Sequence, residues 1–180
     1  MEFPIDVFNT VSTFMNKDTL TRLSMTSKVV AEDINNAFRD PVTLKKRIEN
    51  LTGISDLPFV TIDSSIEYLQ DLVDSLESKS IDKLYTTGRY EYVYIAYTKG
   101  REKRTLNRDA IDNACANDYV DTINFMLANS KLIRSSDVHL IMRTSILKKS
   151  NKIVARLLED VTRENVLENR DRPDGDLIYI

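Results

Sequence analysis

Ala114-Cys115-Ala116-Asn117-Asp118-Tyr119-Val120-Asp121-Thr122-Ile123-Asn124-Phe125-Met126-Leu127 carries the signal of two helices around a turn. Small residues come first. Asn117-Asp118 is turn-prone, and Val120, Ile123, Met126 and Leu127 then recur at three and four. That spacing belongs to a helix rather than a strand, and the Asn-Asp pair marks where the chain reverses. The same skeleton fits Thr87-Gly88-Arg89-Tyr90-Glu91-Tyr92-Val93-Tyr94-Ile95-Ala96. It fits again on Lys149-Ser150-Asn151-Lys152-Ile153-Val154-Ala155-Arg156-Leu157-Leu158. The turn positions Gly88, Asp118 and Lys149 lie 30 and 31 residues apart (118 − 88 and 149 − 118).

A helix pair of this kind has an apolar face that it cannot bury alone. Stacked neighbours close a continuous core, and about three units suffice. Ala110, Ala114 and Ala116 suit close approach of helices, with Val120, Ile123, Met126 and Leu127 filling the space between layers. Val138, Ile141, Met142, Ile146, Val154, Leu157 and Leu158 play that part in the last unit. The segment from 114 resembles the core of an ankyrin repeat, a family with a period of about 33 residues. The shorter period marks these repeats as degenerate. So does Asp109-Ala110-Ile111-Asp112, which stands where the family has its threonine-proline-leucine-histidine opening. A generic helical bundle is the alternative.

The amino-terminal residues form a second pattern. Pro4 suits a first helical turn, and Val7, Phe8, Val11, Phe14 and Met15 give one apolar face on a helix expected to end near Asn16. Asp18 is the expected N-cap of a helix with Leu20 and Leu23; Ser24 or Thr26 is expected to cap a third through Val29, Val30, Ile34 and Phe38. Asp40-Pro41 stops that helix and starts another carrying Leu44, Ile48 and Leu51. Phe3-Pro4, Val7, Val11, Phe14-Met15, Leu20, Leu23 and Ser27-Lys28-x-Val30 resemble an F-box in register. Val30 stands where that family has tryptophan, and Ser27 where it has cysteine. The resemblance implies docking on the Skp-type adaptor of a cullin ubiquitin ligase. The adaptor-binding residues would be Phe3, Pro4, Val7, Phe8, Val11, Leu20 and Leu23.

Between these patterns, Thr52-Gly53 and Leu57-Pro58 signal turns, and Asp63 or Ser64 is expected to cap a helix with Ile66, Leu69, Val73 and Leu76 on one face. The expected organisation is all-α. A small F-box-like helical module over 1–50 and a linking helix over 51–78 come first. Stacked, degenerate ankyrin-like helix pairs over 79–168 and a flexible tail over 169–180 follow.

Composition narrows function by exclusion. In 180 residues there are only four glycines and four prolines, too little punctuation for strand–turn architectures. A net charge of −3 provides no field for nucleic acid or an anionic membrane. No stretch approaches the ~20 apolar residues of a membrane span, and no secretory signal is visible. A cytoplasmic protein is expected, in the host cell if the source is viral. One cysteine, Cys115, and one histidine, His139, give neither a disulfide nor a Cys/His zinc site. Glycines at 53, 88, 100 and 175 form no phosphate loop. No catalytic, metal or cofactor constellation is visible.

Tyr90, Tyr94 and Tyr97 fall on one helical face near Arg101 and supply an expected target-binding patch, since tyrosine pairs large area with a polar tip. The combined expectation is a non-enzymatic substrate adaptor linking an unidentified target to a Skp-cullin-type ligase. It resembles proteins with which large DNA viruses redirect the host ubiquitin system. The rival expectation is a self-associating structural or assembly protein, such as a helical component of a viral particle, without a ubiquitin link.

Overall fold

The computed structural model describes residues 5–61, 63–99, 108–129 and 135–159. Among these, all regular structure is helical. The chain divides into two compact units, residues 1–85 with 91–101, and residues 86–90 with 102–180. Phe3, Pro4, Arg101 and the tail over 169–180 lie outside the described residues.

In the first unit the order is α1 (Ile5–Ser12), α2 (Lys17–Ser24), α3 (Lys28–Ala37), α4 (Pro41–Thr52), α5 (Ile66–Ser78), α6 (Ile81–Tyr85) and most of α7 (Tyr90–Thr98). The caps explain the boundaries. Asn16, not Asp18, caps α2 by accepting from the Thr19 amide at 2.8 Å. Ser27 rather than Ser24 or Thr26 caps α3, and Ser65 rather than Asp63 or Ser64 caps α5. In each case several oxygen-bearing residues adjoin. The register that turns Leu20, Ile34 or Leu69 inward selects among them. Asp40 and Pro41 start α4 as expected, and Gly53 ends it at φ 66°, its amide on the Glu49 carbonyl at 2.7 Å. Lys28 is the first residue of α3, and α1 ends at Ser12, before Phe14 and short of the expected Asn16.

The core of this unit joins Leu44 and Ile48 of α4 to Leu69, Leu72 and Val73 of α5, with Leu57, Val60, Leu84, Tyr92 and Ile95 around them. Helix α5 therefore packs on α4 within one core, so the first unit extends beyond residue 50. So short a helical module buries too little apolar surface by itself.

The second unit contains α8 (Arg108–Ala116), α9 (Val120–Ala128), α10 (Ser135–Lys148) and a helix over 151–159, here α11. Ala110, Ile111, Ala114, Cys115, Ile123, Met126, Ile141, Ile153 and Leu157 are buried. Two turns here are copies of one another. After α8, Asp118 has φ 55°, its amide bonds the Cys115 carbonyl, and the Tyr119 amide bonds the Ala114 carbonyl at 2.9 Å. After α10, Lys149 has φ 59°, its amide bonds the Ile146 carbonyl, and the Ser150 amide bonds the Ser145 carbonyl at 2.9 Å. Both are Schellman closures, in which a left-handed residue lets the last free carbonyls of a helix find donors. Gly88, the third expected turn position, also has positive φ, 72°.

Polar bonds tie one turn to the next. Thr122 Oγ1 donates to the Gly88 carbonyl at 2.8 Å. Both oxygens of the Asp118 carboxylate receive α11 amides, from Lys152 and Ile153. Ser150 Oγ donates to the Cys115 carbonyl, and Asn113 Nδ2 to the Thr86 carbonyl at 2.7 Å. The Gly88 and Asp118 turns are thus each bonded to the start of a helix about one repeat further on, α9 and α11 respectively.

Candidate protein-docking face

Helix α1 buries one side and leaves another open. Ser12 and Thr13 point into the first unit. Ser12 Oγ returns to the Asn9 carbonyl at 2.8 Å, and the Ser12 carbonyl accepts from Arg47 Nη1 at 2.6 Å. Arg47 is itself buried and paired with Glu77, so the end of α1 is fastened to α4 and α5. Holding this face inward turns Val7 and Val11, four residues apart, outward; they are 46% and 42% exposed. Phe14 follows in the turn and is 74% exposed. Beside it, Phe14, Met15, Leu51, Leu76, Asn50 and Glu77 line an open cavity of about 510 Å³.

The expected adaptor-binding residues separate on this geometry. Val7 and Val11 share the open stripe, while Phe8 and Leu23 are half-buried. Leu20 is buried in its own unit and is not available to a partner. Sequence reasoning placed Leu51 on the apolar inner face of α4, yet it is partly exposed at this cavity. Met25, Val29 and Val42 are exposed as well.

A second cavity of the same unit, about 420 Å³, has Leu20, Ile34, Phe38 and Val73 among its walls. Lys17 and Asp74 lie at it, 2.7 Å apart. The hydrogen bond to Asp74, with its charge, holds the Lys17 ammonium above the usual lysine pKa. Gln70 Nε2 is occupied there by the Phe38 carbonyl at 2.6 Å.

The tyrosines read as a target-binding patch are engaged within their own units. Tyr94 is half-buried, its ring edge-on to Phe59 at 5.8 Å; Tyr97 is half-buried too. Tyr90 meets Phe125 edge-to-face at 5.6 Å.

Comparison with known protein families, characterised proteins and solved structures finds no match.

Nucleophilic chemistry has a single thiol to draw on. Cys115 is buried, with Sγ 3.3 Å from Ser145 Oγ. Burial pushes its thiol pKa up, only partly opposed by the Ser145 hydrogen bond. A thiol so placed stays protonated and unreactive, and His139, the sole histidine, is exposed on α10. Alkylation of Cys115 in the folded protein should run at least about a hundredfold slower than in denaturant, the factor for an opening free energy of about 3 kcal/mol. Thiol titration with and without denaturant measures it; equal rates would place Cys115 at the surface. Among the described residues, no group of three or more His, Cys, Asp or Glu is placed to hold a metal ion, and no helix is long and apolar enough to cross a membrane.

Proposed function

We propose that the chain is a non-enzymatic interaction protein that docks through α1 on a Skp-type adaptor of a cullin ubiquitin ligase and presents a target on its helical-pair unit. The observation that carries this reading is the open stripe of Val7 and Val11 running to Phe14. Covering the exposed part of these side chains regains roughly 1 kcal/mol for each valine and about 1.5–2 kcal/mol for Phe14. A central cluster of that kind is what dominates a protein interface. The F-box resemblance begins on the same helix and runs through α2 to the start of α3. Its ankyrin-type counterpart is supported by the turns at Gly88, Asp118 and Lys149 and by the ties of the first two to later helices.

The test is titration of the purified full chain into a purified Skp-type adaptor, followed by calorimetry. Tight binding is expected, with Val7→Asp plus Val11→Asp weakening it at least about a hundredfold, since a buried unpaired carboxylate costs several kcal/mol. Both sites are open to solvent, so the helical circular-dichroism signal should be unchanged. No heat of binding with the parent chain, together with a defined self-assembly in sedimentation, would replace this reading by the assembly one.

A further inference from the structure

Among the described residues, the buried core of the first unit draws on α4 and the elements after it, from Leu44 to Ile95. Of the residues before α4, half-buried Phe38 packs against that core. Leu20, Ile34 and Ala37 are buried too, but they lie outside it. Two cavities mark the junction. One, of about 420 Å³, stands between Leu20 and Ile34 of α2 and α3 and Val73 of α5. The other, of about 510 Å³, stands between the α1–α2 turn and Leu51 and Leu76 of α4 and α5. Atoms that line a gap forgo the attractive contacts of a packed interface.

The ties across this junction are largely polar. Arg47 Nη1 donates to the Ser12 carbonyl and Gln70 Nε2 to the Phe38 carbonyl, each at 2.6 Å. Asn50 Nδ2 reaches Thr13 Oγ1 at 3.3 Å, and the Arg47 guanidinium lies over the Phe38 ring. The Lys17–Asp74 bridge is exposed on both sides and adds little. Water takes the place of polar partners when they part, so they resist separation less than buried apolar contacts do. The buried Arg47–Glu77 pair does not span the junction, since its residues belong to α4 and α5. Glu77 lines the second cavity, and its Oε2 is buried with no hydrogen-bond partner among the described residues. Parting of the junction lets water reach that oxygen, which offsets part of the cost.

Regions with few buried apolar contacts open before a core does. The three helices have eight, eight and ten residues, too few to persist in water once undocked. We infer that α1, α2 and α3 open from α4 and α5 as one cooperative unit while the core from α4 to α7 stays folded. Opening uncovers Val73 and Asp74 of α5 with Asn50 and Leu51 of α4. The three helices open together because α3 is packed on both α1 and α2, so none keeps its inner face once the others leave. This device stands apart from the adaptor reading, since it belongs to the free chain and operates with any partner or none.

The experiment is native-state hydrogen exchange of the full chain, followed by NMR. The slowest amides of α1, α2 and α3 are expected to share one protection factor, at least about tenfold below those of Ile48, Leu72 and Val73. Ile95→Val removes one methylene from the core that stays folded and should lower protection in α4 and α5 about fivefold. It should leave α1–α3 unchanged, because Ile95 keeps its surroundings in the open form. Ile48→Val repeats the contrast from α4 should Ile95→Val fold poorly. Equal protection in all five helices, or an equal loss in both sets on Ile95→Val, would mean that α1–α3 unfold only with the core, and it overturns the inference. Unrelated protection factors in α1, α2 and α3 would show separate fraying and overturn it too. So would exchange of all three at the rate of an unstructured chain, which would show that they are not docked.

Discussion

Gly88→Ala is expected to remove about 3 kcal/mol or more from the stability of the second unit. Two effects add. The residue has φ 72°, where a Cβ costs roughly 1–2 kcal/mol. That Cβ would also stand 2.5 Å from the Ala110 carbonyl oxygen and 2.5 Å from the Ala114 amide nitrogen. Both are backbone atoms of α8, a helix buried at these very positions, so neither moves without shifting the helix. Overpacking of this kind adds typically 1–3 kcal/mol. The Thr122 bond to the Gly88 carbonyl and the Asn113 bond to the Thr86 carbonyl would be disturbed together. Gly53→Ala separates the two effects, because Gly53 has φ 66° with nothing within 4 Å of a built Cβ. That change should cost only about 1 kcal/mol. Chemical denaturation, with hydrogen exchange of the α8 amides, measures both. Equal losses for the two variants would show that close approach of backbone at Gly88 contributes nothing.

Gly88 also shows what was legible in the sequence. Its type and spacing named a turn, as did the turn-prone Asn117-Asp118 pair for Asp118, whereas Lys149 was named on its place in the repeated skeleton alone. All three adopt the left-handed conformation. The inner faces of α4, α5 and α9 were legible for the same reason, periodicity, in Leu44, Ile48, Leu69, Val73, Ile123 and Met126. Other features were hidden because their causes are distant in the chain. Lys45-Lys46-Arg47 reads as a solvated basic run, yet Arg47 is buried because Glu77, 30 residues on, faces it. Phe14 reads as the next apolar position of α1, but Asn16 caps the following helix and the chain must leave α1 before Phe14 to reach it. In the last unit the sequence reading set Val138, Ile141, Ile146, Leu157 and Leu158 between layers, but packing buries only Ile141 and Leu157 of these and leaves Val138, Ile146 and Leu158 exposed, because apolar residues lie on more than one side of each helix. The docking stripe was half legible: Val7 and Val11 share a face in any helix, but which face stays open depends on Ser12 and Arg47.

Arg47→Met should destabilise the first unit by about 3–5 kcal/mol, the usual consequence of removing one partner from a buried ion pair. Arg47 is 3% exposed and Glu77 12%. The guanidinium gives Nε and Nη2 to Glu77 Oε1, Nη1 to the Ser12 carbonyl, and lies over the Phe38 ring at 5.2 Å. Methionine replaces the stem but none of the donors. Glu77 then loses its hydrogen-bonded counter-ion and keeps only the more distant Lys17 charge, and the Ser12 carbonyl loses its side-chain donor. Arg47→Lys should recover only part, since one ammonium cannot reach a carboxylate and a carbonyl in fork geometry. Adding Glu77→Leu to Arg47→Met should return most of the loss. Two desolvated charges disappear together, and among the described residues Glu77 Oε2 has no hydrogen-bond partner even in the parent chain. Failure of the second change to restore stability would mean that the Ser12 contact and packing, not the ion pair, hold the site. The pair of variants also bears on docking. Arg47 Nη1 fastens the end of α1, so the double variant recovers the core without recovering that contact. The Val7 and Val11 stripe should therefore bind an adaptor more weakly in the double variant than in the parent at equal thermal stability. Equal affinity would show that Ser12 and Thr13, buried in the same unit, are enough to orient α1.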